Sequence, residues 1–532
     1  MNIEGTLPSQ ASPLRIRSPP GFVTKPMRKH TLRSFALRTV ALLAAVLAPV
    51  VLVVVARTVV AGKADSTTPL EYPVATLDVS AAATRLSAAL QFETVSYEDG
   101  SDAAVFERFR AWLAATYPRF HSVARRTVVG DGTLIYEWSG SDASLLPMVL
   151  LAHQDVVPVP QPERWRHPPF SGAIVEGLVW GRGALDDKSA LIAIMEAAES
   201  LVAAGHTPAR SVIFVFGHDE ESGGAGARAA AELLASRKVK AEFVLDEGGL
   251  SLRDAPVTNA PMTLIGVAEK GYLTLQLEVK VAGGHSNAPG TQTAVDTLAR
   301  AIVSIRANSF APSYAGVTRD MLEAMAPHAP LVTRMAIANS WLFEPLLLRE
   351  LSATPQGAAT LQTTIAPTML QGSPKQNVLP TIATATINLR IMPGESIDSV
   401  TAHVRESIGD LPVTVTSVGP QSEPSPIASR QSGGYRLVAG LAAQIFDAPV
   451  APLLLIGTTD SRHMSVLSDD IYRFTPLQLG AADFALAHGF DERISVENLG
   501  RMLAFYQQVL VGGSAATLPL TSAGCPTCRA AP

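Results

Sequence analysis

The sequence has almost no cysteine. Two stand among its 532 residues, Cys525 and Cys528, both close to the C-terminus. A disulfide-stapled core is thereby excluded, and so is thiol chemistry in the body of the protein. Any metal centre must draw on His, Asp and Glu. Charge is sparse as well, with charged residues at 17% against 47% hydrophobic. That balance excludes bulk disorder and suits a well-packed globular body. The net charge is −5 and the body holds no long basic run, which argues against nucleic acid as a partner. No internal repeat is present. The length exceeds one ordinary core and implies two domains with appendages. Cys525-Pro-Thr-Cys528 could bind metal or close a local disulfide, but a lone CxxC in a tail is a weak signal.

One long apolar run is present. Thr39–Ala56 is uninterrupted for 18 residues, near the minimum for crossing a bilayer. Arg28, Lys29, Arg33 and Arg38 precede it, and Arg57 and Lys63 follow. The heavier basic flank stays cytoplasmic, so the body lies on the extracytoplasmic side of a membrane anchor. The competing reading is a cleaved signal, with small residues at Ala61-Gly62, which leaves the body secreted. The long leader and the basic residues that close the run favour the anchor. The expected layout is a disordered basic tail over 1–35, the anchor or signal over 36–60 and a linker over 61–76.

From Leu77 the pattern is that of an α/β protein. Apolar spacing predicts helices over Val79–Leu90, Ala103–Tyr117, Ala190–Ala204 and Ala225–Ser236. Buried-strand runs fall at Pro147–Ala152, Ser211–Gly217 and Glu242–Leu245, beside a strand at Thr133–Trp138. Strands alternating with helices predict a mostly parallel sheet with helices on both faces. Function in such sheets collects at the carboxyl ends of strands. Three strands here end on His153-Gln154-Asp155, on His218-Asp219-Glu220-Glu221 and on Asp246-Glu247. Near Glu269 the pattern changes. Tyr272–Val281 and Ala383–Ile391 alternate like half-exposed strands, and helices fall at Asn287–Ser304 and Ser396–Ile408. This reads as a smaller inserted α+β lid domain over 268–419, splitting a catalytic domain into 77–267 and 420–512. Helices at Leu437–Phe446 and Val496–Val511 close it, and 513–532 is a loose tail.

The clustered residues suit a two-metal hydrolytic centre. Such a centre needs a carboxylate shared by both ions, two further ligands on each, and a base beside a water. Asp186 and Asp187 open the helix that follows Gly181–Ala184. With His153 as a ligand, Asp155 can orient its ring. Glu220 and Glu221 are neighbours in a loop, so one can bind metal while the other serves as general base. Asp246 and His488 complete the count. Each has a plainer reading: a satisfied histidine, a solvated acidic cap, an N-cap at Asp186, turn chemistry at Asp246. Singly those readings win. Four clusters at strand ends and helix starts of one sheet reverse the balance.

The order of these motifs resembles a known family. His153-x-Asp155, GRGALDDK from Gly181, DEESGG from Asp219, LDEGG from Leu245, GGHSNAPG from Gly283, NLRIMPGES from Asn388 and HGFDERI from His488 resemble the dizinc metallopeptidases that include carboxypeptidase S, aminoacylase and succinyl-diaminopimelate desuccinylase. The likeness spans roughly residues 80–511. APHAP at Ala326, Trp341–Phe343 and GSPKQNVLP at Gly372 look most like the carboxypeptidase S branch, which includes enzymes that make and break N-fatty-acyl amino acids. The resemblance implies two Zn²⁺ ions (with Co²⁺ or Mn²⁺ as substitutes), one on His153, Asp186 and Asp246, the other on Asp186, Glu221 and His488. It implies Glu220 as general base, Asp155 as support for His153, and His285 as oxyanion donor from its own chain or across a homodimer. Arg390 and Asn377 would hold the free carboxylate of a peptide or N-acyl-amino-acid substrate. The expected activity is hydrolysis of the amide bond to a C-terminal amino acid. A dipeptidase, or a membrane-tethered binding protein without turnover, are the rivals. Glu220 weighs against the second, since a binding module has no use for a base beside its ligand.

Overall fold

The computed structural model describes residues 29–63, 70, 72 and 76–519. Cys525, Cys528 and most of the expected leader and linker lie outside them. The chain divides into two compact units, 1–56 and 57–532. The helix Lys29–Val60 runs through the described part of the first and ends in the second. Its stretch Arg38–Val60 is 23 residues long, and the most apolar 18 of them have mean hydropathy 2.8, long and apolar enough to cross a membrane.

The second unit is built on an eight-stranded sheet. Its order is Val450–Leu455, Ala260–Glu269, Ile471–Leu479, Phe243–Ala255, Met148–His153, Val212–Gly217, Thr133–Trp138, Ala124–Val129. The expectation of a mostly parallel sheet needs correction, because the sheet is mixed. Parallel pairing runs from Ile471–Leu479 through Val212–Gly217. Antiparallel pairs flank this block, at Thr133–Trp138 and Ala124–Val129 on one side and at Ala260–Glu269 on the other. For two of these pairs, Ala124–Val129 with Thr133–Trp138 and Phe243–Ala255 with Ala260–Glu269, the cause is local, since two strands joined by a tight turn can only pair antiparallel. Gly130 at φ 58° and Asn259 at φ 52° make those two turns.

Strand alternation sends side chains into two cores. On the Met148–His153 strand, Met148, Leu150 and Ala152 meet the helices Val79–Leu90, Lys188–Ala203, Gly433–Phe446 and Val496–Gly513. Val149 and Leu151 meet the helix Ala225–Ser236 and the short turn that carries Met464. Both faces are therefore covered, which is why the central strands read as continuous apolar runs. A separate four-stranded antiparallel sheet, Thr364–Gln371, Ile382–Ile391, Gly271–Lys280, Thr414–Ser417, packs its own core against Ala294–Ala307 and Ile397–Ile408. A three-stranded sheet joins Arg493–Ser495 to Leu178–Trp180. It brings the HGFDERI segment beside the Gly181–Ala190 loop, some three hundred residues away in sequence.

Candidate active site

His153 closes its strand, with only 1% of its surface exposed. Its Nε2 lies 2.9 Å from Oδ1 of Asp186. The other oxygen of Asp186, Oδ2, lies 3.1 Å from Nε2 of His488. That nitrogen is in turn 3.0 Å from Oε1 of Glu221. One carboxylate thus faces two imidazoles, one per oxygen. The structure sets His153, Asp186 and Glu247 together, and Asp186, Glu221 and His488 together, the donor atoms of each group within 4.8 Å of one another. The peptide joining Asp186 to Asp187 is cis, and Asp187 turns inward, fully buried, to accept the His153 backbone N–H at 3.4 Å.

Asp155 is the buttress. Its carboxylate accepts the N–H groups of Glu220 (3.2 Å) and Glu221 (3.1 Å) and the hydroxyl of Ser96 (2.6 Å). The same carboxylate lies 3.3 Å from Nδ1 of His153, which also meets the Asp155 carbonyl at 3.0 Å. Burial works against its charge, but these donors outweigh it and hold its pKa below the usual carboxylate value. One side chain therefore fixes both the ring of His153 and the turn that presents Glu220 and Glu221.

Asp246 is taken up by backbone donors. Its Oδ2 accepts the N–H of Ser461 at 2.7 Å and its Oδ1 that of Glu247 at 2.9 Å. The carboxylate beside His153 is that of Glu247, with Oε1 3.6 Å from Nε2. The reason is a bulge. Arg473 pairs with Asp246 and the next residue, Phe474, pairs with Gly249, so Glu247 and Gly248 are extra. Gly248, at φ 137°, supplies the backbone freedom. Asp246 keeps the parity of Val244, which faces the turn carrying Ser461, while the bulge re-aims Glu247. The strand also runs on to Ala255 instead of ending at Leu245. The motif LDEGG offered both acids, and its glycine pair was the signal that the alternation breaks there.

The site is acidic and largely enclosed, opening to solvent at His488, which is half exposed. Burial, followed by neighbouring carboxylates and offset in part by His153, raises Glu220 and Glu247 well above the usual range. Burial raises Glu221 too, against its bond to His488. His488, held by Asp186 and then Glu221, is pushed up to about 10. Buried carboxylates crowded this way are relieved by a multivalent cation, so the donor set fits a metal centre. Glu220 faces the Arg462 guanidinium at 3.6 Å. Asp460, buried beside them, has no hydrogen-bond partner on either oxygen among the described residues.

Two residues that sequence reasoning left without a role hold the centre in shape. Glu492 is fully buried, and its Oε1 accepts the N–H groups of Gly183 (3.0 Å), Leu185 (2.8 Å) and Asp186 (3.2 Å). Its Oε2 pairs with Arg182 at 2.6 Å, and Arg182 also donates to the His488 carbonyl at 3.2 Å. His488 itself sits at φ 58°, in the left-handed region. Lys188 donates to the carbonyls of Ala89 and Phe92, not to the cluster.

The remaining expected residues lie on the second sheet and its ribbon. His285 is exposed, on a two-residue strand paired with Val378, and its ring accepts the N–H of Asn287. Asn377 joins the same ribbon through its carbonyl, which accepts from Ser286 at 3.2 Å. Arg390 stacks on Tyr272, its cross-strand partner, at 4.5 Å, and burial lowers its pKa. None of the three touches the cluster around Asp186.

The model of peptidase family M20/M25/M40 matches residues 149–511. The chain belongs to that family. It is 36% identical over 438 residues to "Probable carboxypeptidase S-like 2" of Dictyostelium discoideum, covering 80% of this chain and 84% of the relative. It is 35% identical over 434 residues to "N-fatty-acyl-amino acid synthase/hydrolase PM20D1" of Homo sapiens, covering 80% and 86%. Among solved structures it resembles the M20 family metallo-carboxypeptidase Sso-CP2 from Sulfolobus solfataricus, with TM-score 0.62 and 19% identity, covering 81% of this chain and 98% of that one. The M20 assignment makes the chain an enzyme of a metal-dependent hydrolase family, similar to carboxypeptidase S-like and N-fatty-acyl-amino acid synthase/hydrolase relatives, and its fold is the α/β fold of that family.

Proposed function

We propose that the chain hydrolyses the amide bond between an acyl or peptidyl group and a C-terminal amino acid, at a centre that holds two zinc ions. The observation that carries this reading is the division of the Asp186 carboxylate between His153 and His488. His153, Asp186 and Glu247 would hold one ion, and Asp186, Glu221 and His488 the other. This replaces Asp246, whose oxygens accept backbone N–H groups. When bound, such ions supply Lewis acidity that polarises a carbonyl and acidifies water.

The chain's own residues do the rest. Glu220 is oriented by the grip of Asp155 on its N–H, and burial raises its affinity for a proton. It takes the proton of the attacking water and returns it to the leaving amine. Arg462 steadies Glu220 from the far side. His285 donates to the oxyanion once the ribbon it shares with Asn377 comes over the site, from the same chain or a second copy. Arg390 and Asn377 then meet the free carboxylate, for which a guanidinium fork is well suited. The names of the carboxypeptidase S-like and N-fatty-acyl-amino acid relatives support that substrate class. The Arg38–Val60 helix serves as a membrane anchor, with the body on the extracytoplasmic side.

The test is Glu220→Ala in the full chain. Metal content should stay at the wild-type level, while turnover of N-acyl amino acids and blocked dipeptides falls by about 10²–10⁴-fold. Unchanged turnover with metal bound would refute the assigned base.

A further inference from the structure

We propose that the helix pair Leu331–Ala338 and Ser340–Leu351 is a membrane-contact surface that lies on the bilayer crossed by the N-terminal helix. The proposal rests on the anchor reading above and adds a second point of contact to it. The pair is two-faced. Ala336, Ile337 and Leu347 pack inward with Leu322 and Met325. Outward stand Leu331 (68% exposed), Val332 (73%), Trp341 (52%), Leu342 (45%) and Leu346 (45%). A soluble surface rarely gathers apolar side chains of this size. Between 331 and 346 the only charged residues are Arg334 and Glu344. Arg334 is spent on the carbonyls of Ala326, Pro327 and Ala329.

The joint between these helices is tied to the place where the apolar run ends. Arg57, the first residue of the same compact unit, donates from Nε to the Ala338 carbonyl at 2.8 Å. Asn339 donates from Nδ2 to Oγ1 of Thr58 at 3.2 Å, and both side chains are buried. Thr58 lies two residues before Val60, about 3 Å along the helix axis from the end of the spanning stretch. Val59 and Val60 are exposed beside it. The joint between the two helices is therefore fastened to the last turn of the apolar stretch, the segment that would lie at the depth where a spanning helix leaves the hydrocarbon. Tryptophan and short amphipathic helices settle at that depth. This tie singles out the bilayer, ahead of a second copy or a peptide, as the occupant of the face.

The test uses the full chain, with Cys525→Ser and Cys528→Ser, in vesicles of phosphatidylcholine and phosphatidylglycerol. An environment-sensitive fluorophore is placed through Leu342→Cys, and in separate samples through Val332→Cys and Val51→Cys. Nitroxides attached near the lipid headgroups should quench the labels at 342 and 332 by about two-fold or more. Deep nitroxides should quench the label at 51. Absence of lipid quenching at both 342 and 332 overturns the proposal. If position 51 is still quenched, the anchor stands without the docking surface; if not, both fail. Quenching that depends on labelled-protein density and not on nitroxide lipid means that a second copy covers the face, and also overturns the proposal.

Discussion

Glu492→Gln should be among the most damaging single-atom changes in the protein, although Glu492 belongs to neither proposed metal group. Glu492 is fully buried and Arg182 is 2% exposed. The amide oxygen of the glutamine can still accept the N–H groups of Gly183, Leu185 and Asp186. The amide nitrogen, however, then meets Arg182 Nη1 where a carboxylate oxygen stood at 2.6 Å. A guanidinium is left in a dry site facing a donor, and stranding one partner of a buried pair costs about 3–5 kcal/mol. By contrast, Glu497→Gln breaks a pair whose acid is 74% exposed and should cost about 0–1 kcal/mol. The assay is urea unfolding followed by tryptophan emission, with Trp165 5.3 Å from the Arg182 guanidinium as a local reporter. Adding Arg182→Met to Glu492→Gln removes the stranded charge and should recover a large part of the loss. The reasoning is refuted if Glu492→Gln costs less than about 1 kcal/mol at unchanged m. It is equally refuted if the double variant loses the sum of its two singles.

Three further predictions follow from the geometry. Glu247→Gln should lower the retained metal from two ions per subunit towards about one after dialysis, while Asp246→Asn keeps both; elemental analysis decides, and the opposite pattern restores Asp246 as the ligand. His285→Ala should lower kcat without changing metal content, and an unchanged kcat would remove it from the reaction. Lys270, buried and donating to the carbonyls of Ala359 and Gln362, is pushed by burial from 10.5 down to about 8. Between those two values the unfolded chain holds a proton that the folded one has shed, so stability rises with pH. Measured against Lys270→Met, wild type should gain stability as pH climbs from about 8 to 10.5 and lose it as pH falls through 8. A flat difference would refute that.

Much of the site was legible because its chemistry is written in short motifs at element ends. His153 and Asp155 follow an apolar strand, Glu220 and Glu221 follow another, and Asp186 opens an apolar helix. These are local facts, set by hydrophobic period and by where it stops. The same period located the helices Val79–Leu90 and Ala225–Ser236 and the alternating strands of the second sheet. It did not locate Ala260–Glu269 or Ile471–Leu479, whose pairing partners lie far away or behind a tight turn.

The residues alone therefore set the chemistry available: histidines and acids with no cysteine in the body, an α/β alternation, and one run apolar enough for a bilayer. What the tertiary structure decided was which of two adjacent acids faces His153. That choice depends on a bulge, and a bulge exists only in register with a partner strand, here Ile471–Leu479, more than two hundred residues on. Glu492 is the same case. It lies inside the HGFDERI motif, but its role appears only when Arg493–Ser495 pairs with Leu178–Trp180 and lays it under the Gly183–Asp186 backbone. Local sequence fixes what a side chain can do, and long-range pairing fixes which groups it meets.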